Sequence, residues 1–223
     1  MGDRLQAAIL LLGICSFLAC ATALLASWHY IHTEHWYSED DYEHYDSVDN
    51  LMFFVEEPSV SYWGVSHFSY NEIHFDAVGN LFDVVKILCF CGLAVIVMST
   101  VAALKTSWRY SPVLALLAPV PAIAALLLFS LSFPAAMSEG LEATGLPFGN
   151  YSDEITGLYG SEELYFEYDN STVKIKWSVD IAWWMMIGAF SMTLAQTILI
   201  GLYPPSGQSL KMTLFGRTRV KEP

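Results

Sequence analysis

Four apolar runs constrain this chain more than any other feature. They cover about residues 7–27, 84–104, 113–133 and 179–202, and the only charged residues within them are Lys86 and Asp180. Crossing a hydrocarbon core of about 30 Å takes roughly 20 helical residues. In lipid every backbone N–H and C=O must be satisfied within the segment, so such a run becomes a helix. Core helices of soluble proteins rarely run this long without a charge. The expected fold is therefore an all-α membrane fold: a four-transmembrane-helix bundle with two extracytoplasmic loops, the second containing a β-hairpin. The hydrophobic share of 54% agrees, since ordinary soluble domains lie nearer roughly 45–50% with glycine included.

Charge partition orients the helices. Outside the runs the basic residues other than Lys174 and Lys176 are Arg4, Lys105, Arg109 and, toward the C-terminus, Lys211, Arg217, Arg219 and Lys221. Residues 28–80 contain no lysine or arginine, and residues 134–178 contain only Lys174 and Lys176. By the positive-inside rule both termini and the turn between helices two and three are cytoplasmic. The expected order is a short cytoplasmic N-terminus and first helix (1–27), an acidic, histidine-rich outer loop (28–83), a second helix (84–104) and a cytoplasmic turn (105–111). A third helix (112–133), a second outer loop (134–178), a fourth helix (179–202) and a basic cytoplasmic tail (203–223) follow. The small residues Cys20-Ala21-Thr22-Ala23 offer a signal-peptide cleavage region. However, the first apolar run exceeds the roughly 7–15 residues of a signal core, so a retained helix is expected.

The net charge of −13 falls mostly on the outer side, with eleven acids in residues 28–80 and eight in 134–178. Such a face repels nucleic acid, which is excluded as a partner, and attracts cations or basic proteins. All four cysteines (Cys15, Cys20, Cys89, Cys91) lie in the first two helices, where a contact between the two pairs is within reach. The outer loops therefore fold without a disulfide framework.

The densest functional pattern is the stretch from Trp28 to Asp49, with four histidines and seven carboxylates. If the first helix runs on to His35, the spacing of three keeps His29, His32 and His35 drifting slowly around one face, with Glu34 beside them. Imidazole and carboxylate ligands suit zinc or copper. The plainer readings are a solvated acidic loop or a pH-sensitive outer face. Trp28, Tyr30, Trp36 and Tyr37, with Trp177, Trp183 and Trp184, fit an outer aromatic belt. Lys86, with Asp83 or Asp180 as partner, and Gln196 are candidates for an ion path; the alternative is a snorkelling pair and an interhelical hydrogen bond. Pro119 and Pro121 predict a kink or unwinding in helix three.

Residues 59–63 and 67–70 read as short strands. Residues 164–168 and 172–177 alternate well around Asp169-Asn170-Ser171 and read as a hairpin lying over the first loop. Asn150 and Asn170 begin glycosylation sequons. No P-loop, GxSxG, CxxC or HExxH pattern occurs.

The plan of short inner ends, a longer first outer loop and a shorter second resembles the broad tetraspan class, which claudin-type proteins share. Trp63-Gly64 is a fragment of the claudin Trp-Gly-Leu-Trp pattern, and the paired loop cysteines of claudins and tetraspanins are absent, so the resemblance ends at topology. The expected function is that of a non-enzymatic four-pass integral membrane protein, an interaction or scaffold subunit with an acidic extracytoplasmic face. The alternative is a cation-handling channel, transporter or metal-binding subunit using the His/acid cluster. No cofactor is expected under the first reading, and zinc or copper under the second. The partners are the lipid bilayer, a second protein or a second copy, and cations; the plasma membrane is favoured over an internal one.

Overall fold

The structure is a computed structural model. It describes residues 3–39, 42–55, 58–61, 65–67, 69–72, 75–105, 111–143, 155, 157–166 and 171–202. The helices are α1 (Asp3–Leu25), α2 (Asp76–Leu104), α3 (Ser111–Leu117), α4 (Val120–Ala143) and α5 (Ile181–Leu202). They make four helical spans long and apolar enough to cross a membrane, with α3 and α4 in series as the third, and mean hydropathies of 1.7 to 2.6.

The break between α3 and α4 follows from proline chemistry. Pro119 has no N–H to offer the carbonyl of Ala115, four residues earlier. From the backbone that carbonyl accepts a long 3.3 Å bond from the Ala118 N–H. The Thr197 hydroxyl on α5 donates to it and also to Thr193 O. Thr197→Val is expected to cost about 1 kcal/mol, because it removes a donor from a buried carbonyl. Thr22→Val is the control, since Thr22 bonds only Leu18 O of its own helix. Thermal unfolding in detergent should separate the two; equal midpoints would mean that the Thr197 bond contributes nothing.

The sheet is larger than the second-loop hairpin and the two short first-loop strands at 59–63 and 67–70 that the sequence suggests. Among the described residues, six strands form one antiparallel sheet in the order β4-β3-β2-β1-β6-β5. They are β1 (His29–Glu39), β2 (Tyr42–Phe53), β3 (Pro58–Ser61), β4 (Val65–His67), β5 (Gly160–Phe166) and β6 (Ser171–Val179). The β5–β6 hairpin is present, but it does not lie over the first segment. β6 pairs edge to edge with β1, from His29↔Val179 to Tyr37↔Ser171. The first helix ends at Leu25, so His29–His35 is strand and not a helical extension.

The chain forms two compact units. One comprises Met1–Thr22, Ile87–Ala125 and Met185–Pro223, and the other Ala23–Lys86 and Leu126–Trp184. In the first, Gln196 is buried and donates to Ile9 O at 3.3 Å and to the Thr100 hydroxyl at 2.9 Å. Gly13 packs so close to Thr100 that a Cβ would lie 2.3 Å from its hydroxyl oxygen. The Cys20 thiol reaches Cys89 O at 3.4 Å, which is the contact between cysteine pairs that the sequence allowed.

The second unit holds the sheet. One sheet face is buried through Ile31, Thr33, Leu51, Phe53, Val173, Ile175 and Trp177. It packs on the rings of Phe133 from α4 and Phe75 just before α2. Phe53 meets Phe75 at 5.4 Å and Phe133 at 5.3 Å, and Phe133 stacks on Phe129 at 4.5 Å. Trp28 is fully buried against Phe82 and Phe129, with its indole N–H on Ala23 O at 2.8 Å. It is a core residue and not part of an aromatic belt. Gly160 faces Trp177 across the hairpin, and a Cβ there would lie 2.2 Å from the indole, so only glycine admits that ring.

Candidate functional site

Two short links connect helices to the centre of the sheet. Residues 26–28 join α1 to β1, and Asp180 alone joins β6 to α5. They are stapled together. The Asp180 N–H donates to Trp28 O at 2.9 Å, and the Ala182 N–H to Ser27 O at 2.9 Å. The Ser27 hydroxyl donates to the Asp180 carboxylate, whose other oxygen accepts the Ile181 N–H at 2.8 Å. Asp180 is thus the N-cap of α5 and a cross-link between two chain segments, a role its place in an apolar run did not announce. Lys86 lies half-buried on α2.

Strand geometry separates the expected histidine cluster. Successive side chains on a strand point to opposite faces. His29 therefore faces the core, and His32 and Glu34 face away from it. His35 shares the side of His29 but stands six residues, or about 20 Å, further along the strand. Among the described residues no three His, Cys, Asp or Glu side chains are placed to hold one metal ion. The spacing of three is what disperses them: it gathers residues on a helix and splits them on a strand.

His29 is buried completely, with its ring 4.8 Å from Phe133 and 6.0 Å from Phe53. Its Nε2 lies 3.2 Å from Leu158 O. A carbonyl only accepts, so Nε2 carries the proton. Nδ1 is buried without a partner among the described residues. Burial among apolar rings, only partly offset by the bond to Leu158, pushes the imidazole pKa down from 6.5 to about 3.

The other face of the sheet is polar and open. His32 Nδ1 lies 2.6 Å from Asn50 Oδ1, and Nε2 lies 3.2 Å from Glu34 Oε1. The His32 bond, helped by the Trp36 side chain and the Lys176 charge, holds the Glu34 carboxyl below its ordinary range. The Lys174 ammonium sits 5.3 Å from the Trp36 ring centroid, a cation–π contact. Register completes the rows: Glu34, Lys174 and Glu163 stand side by side on β1, β6 and β5, as do His32, Lys176 and Ser161. Asn50 and Glu163 were not singled out in the sequence, and Trp36 only as a belt residue, because only the strand register brings them beside His32, Glu34 and Lys174.

Gln196 is buried with its Oε1 lacking a partner among the described residues, and its amide bridges α1, α2 and α5. The sequons at Asn150 and Asn170, and the tail 203–223, lie outside the described residues. Compared with known proteins, the chain matches no family model and no curated protein sequence.

Proposed function

We propose that this chain is a four-pass integral membrane protein whose sheet is an extracytoplasmic, non-catalytic recognition surface, acting as an interaction or scaffold subunit. One observation carries the reading. The segment between α1 and α2 and the segment between α4 and α5 share one sheet through β1 and β6. Two segments in one sheet lie on the same side of any membrane, which is what an even number of crossings between them requires. The charge partition supports that side being the outer one. The open face combines aromatic, amide and charged groups, a mixture that suits protein contact.

Single cysteines at Ser161 and Lys105, in a background without the native four, test the topology. An impermeant maleimide applied to intact cells should label the first and spare the second. Labelling of both, or of Lys105→Cys alone, overturns the arrangement. Cross-linking in native membranes should recover this chain with a second polypeptide; monomer alone would count against the scaffold role.

A further inference from the structure

Two features lie side by side along the contact between α1 and α2. The first is a thiol pair. Cys20 and Cys89 are both buried, the Cys20 S–H donates to Cys89 O at 3.4 Å, and the Cys89 thiol lies within hydrogen-bonding reach of it. Gly92 makes the room, since a Cβ there would lie 3.4 Å from the Cys20 sulfur. The second is an apolar groove of about 270 Å³, lined by Phe17 and Leu18 of α1 and by Ile96, Val97 and Thr100 of α2 among others. Phe17, Leu18 and Val97 are 39–58% exposed, so the groove opens outward. The Thr100 hydroxyl is already engaged with Ile96 O and the Gln196 amide, which leaves the groove a hydrocarbon surface. Cys20 stands three residues from Phe17, roughly one helical turn, and Cys89 seven from Ile96, roughly two turns.

We propose that this groove takes the acyl chain of an oxidised phospholipid, whose hydroperoxide converts Cys20 and Cys89 to a disulfide that ties α1 to α2. The inference rests on the four-pass reading, which puts this helix pair in lipid. Cys20 lies five residues, about 8 Å, from the end of α1 at Leu25, which is the depth of acyl chains and not of headgroups. An oxidant carried on an acyl chain arrives at that depth, whereas a water-soluble one does not. The Cys20 sulfur, nearer the groove, attacks the outer peroxide oxygen. The O–O bond breaks, and the lipid leaves as an alcohol that takes the thiol proton. The sulfenic acid on Cys20 then condenses with the Cys89 thiol, which forms the S–S bond and releases water. Two thiols lose two electrons and two protons, and the hydroperoxide accepts both. The buried pair is selected because a sulfenic acid formed there has a second thiol beside it.

The test uses the full chain in nanodiscs. The probe is the hydroperoxide of palmitoyl-linoleoyl phosphatidylcholine, compared with hydrogen peroxide at equal concentration. Free thiols are alkylated after denaturation without reduction, and peptides are mapped by mass. A linked Cys20–Cys89 peptide, lighter by two hydrogens, should form at least tenfold faster with the lipid hydroperoxide, with one lipid alcohol released per link. Val97→Trp fills the groove from an exposed position and should slow the reaction at least tenfold. In Cys89→Ser, dimedone should trap the sulfenic acid on Cys20. Oxidation of Cys15 or Cys91 with the pair left reduced overturns the proposal. Equal rates with hydrogen peroxide, or in Val97→Trp, overturn it as well. If the maleimide upholds four crossings and the pair still stays reduced, this inference alone falls.

Discussion

Phe133→Ala is expected to lower the thermal midpoint of the purified protein by on the order of 10 °C. The ring is fully buried and lies within 4.5–6.1 Å of the rings of Phe129, His29, Phe53 and Phe82. It touches core-facing residues of both β1 (His29) and β2 (Phe53). Emptying such a site costs about 3–5 kcal/mol, from lost burial and from the cavity left behind. Total stabilities are roughly 5–15 kcal/mol, so the change is large. A chain of this size loses about 2–4 °C per kcal/mol. Leu131→Ala on the same helix is the control, because Leu131 is 78% exposed. If the two variants melt alike, the aromatic cluster is not what holds the sheet.

The second large effect is acid destabilisation through His29. The group is neutral when folded and titrates near 6.5 when unfolded. Its contribution is therefore complete above about pH 6.5 and is lost progressively as pH falls toward about 3. Between pH 7 and 5 the loss is about 2 kcal/mol. Glu34 and Glu72 are held below their ordinary 4.5, so they lose their contribution only at still lower pH. Glu72 is held there by the Ser69 backbone N–H, with help from its hydroxyl. His29→Gln keeps a donor for Leu158 O without a titrating ring. Melting curves at pH 7 and pH 5 should show a smaller pH difference in the variant than in the wild type. An equal difference would assign the acid sensitivity elsewhere.

The helices were legible because lipid-crossing length and the absence of charge leave few alternatives. The break at Pro119 was legible because it follows from one missing N–H. β1 and β2 were not. Alternation was present in β1, but its inward positions are His29, Ile31, Thr33 and His35, so three of the four read as polar. In β2 the acids of Tyr42–Asp49 hide the short apolar end at Leu51–Phe53. The periodicity of the histidines then suggested a helix. The hairpin of β5 and β6 was visible because Val173, Ile175 and Trp177 alternate with lysines. Pairing between β1 and β6 depends on partners more than a hundred residues apart, which no local pattern encodes.

That separation also sets an order of assembly. β1 lies between β2 and β6, yet its second neighbour begins at Ser171, about 130 residues after β1 ends. At a synthesis rate of ~5–20 residues per second, β1 waits roughly 7–25 s with one side open while α2 to α4 are made. During that interval the strand from His29 to Tyr37 is a template for any other extended chain. The β5–β6 hairpin is therefore a closing clasp. A nascent chain that stops short of Ser171 carries β1 with one side unpaired, and is a natural target for a membrane chaperone.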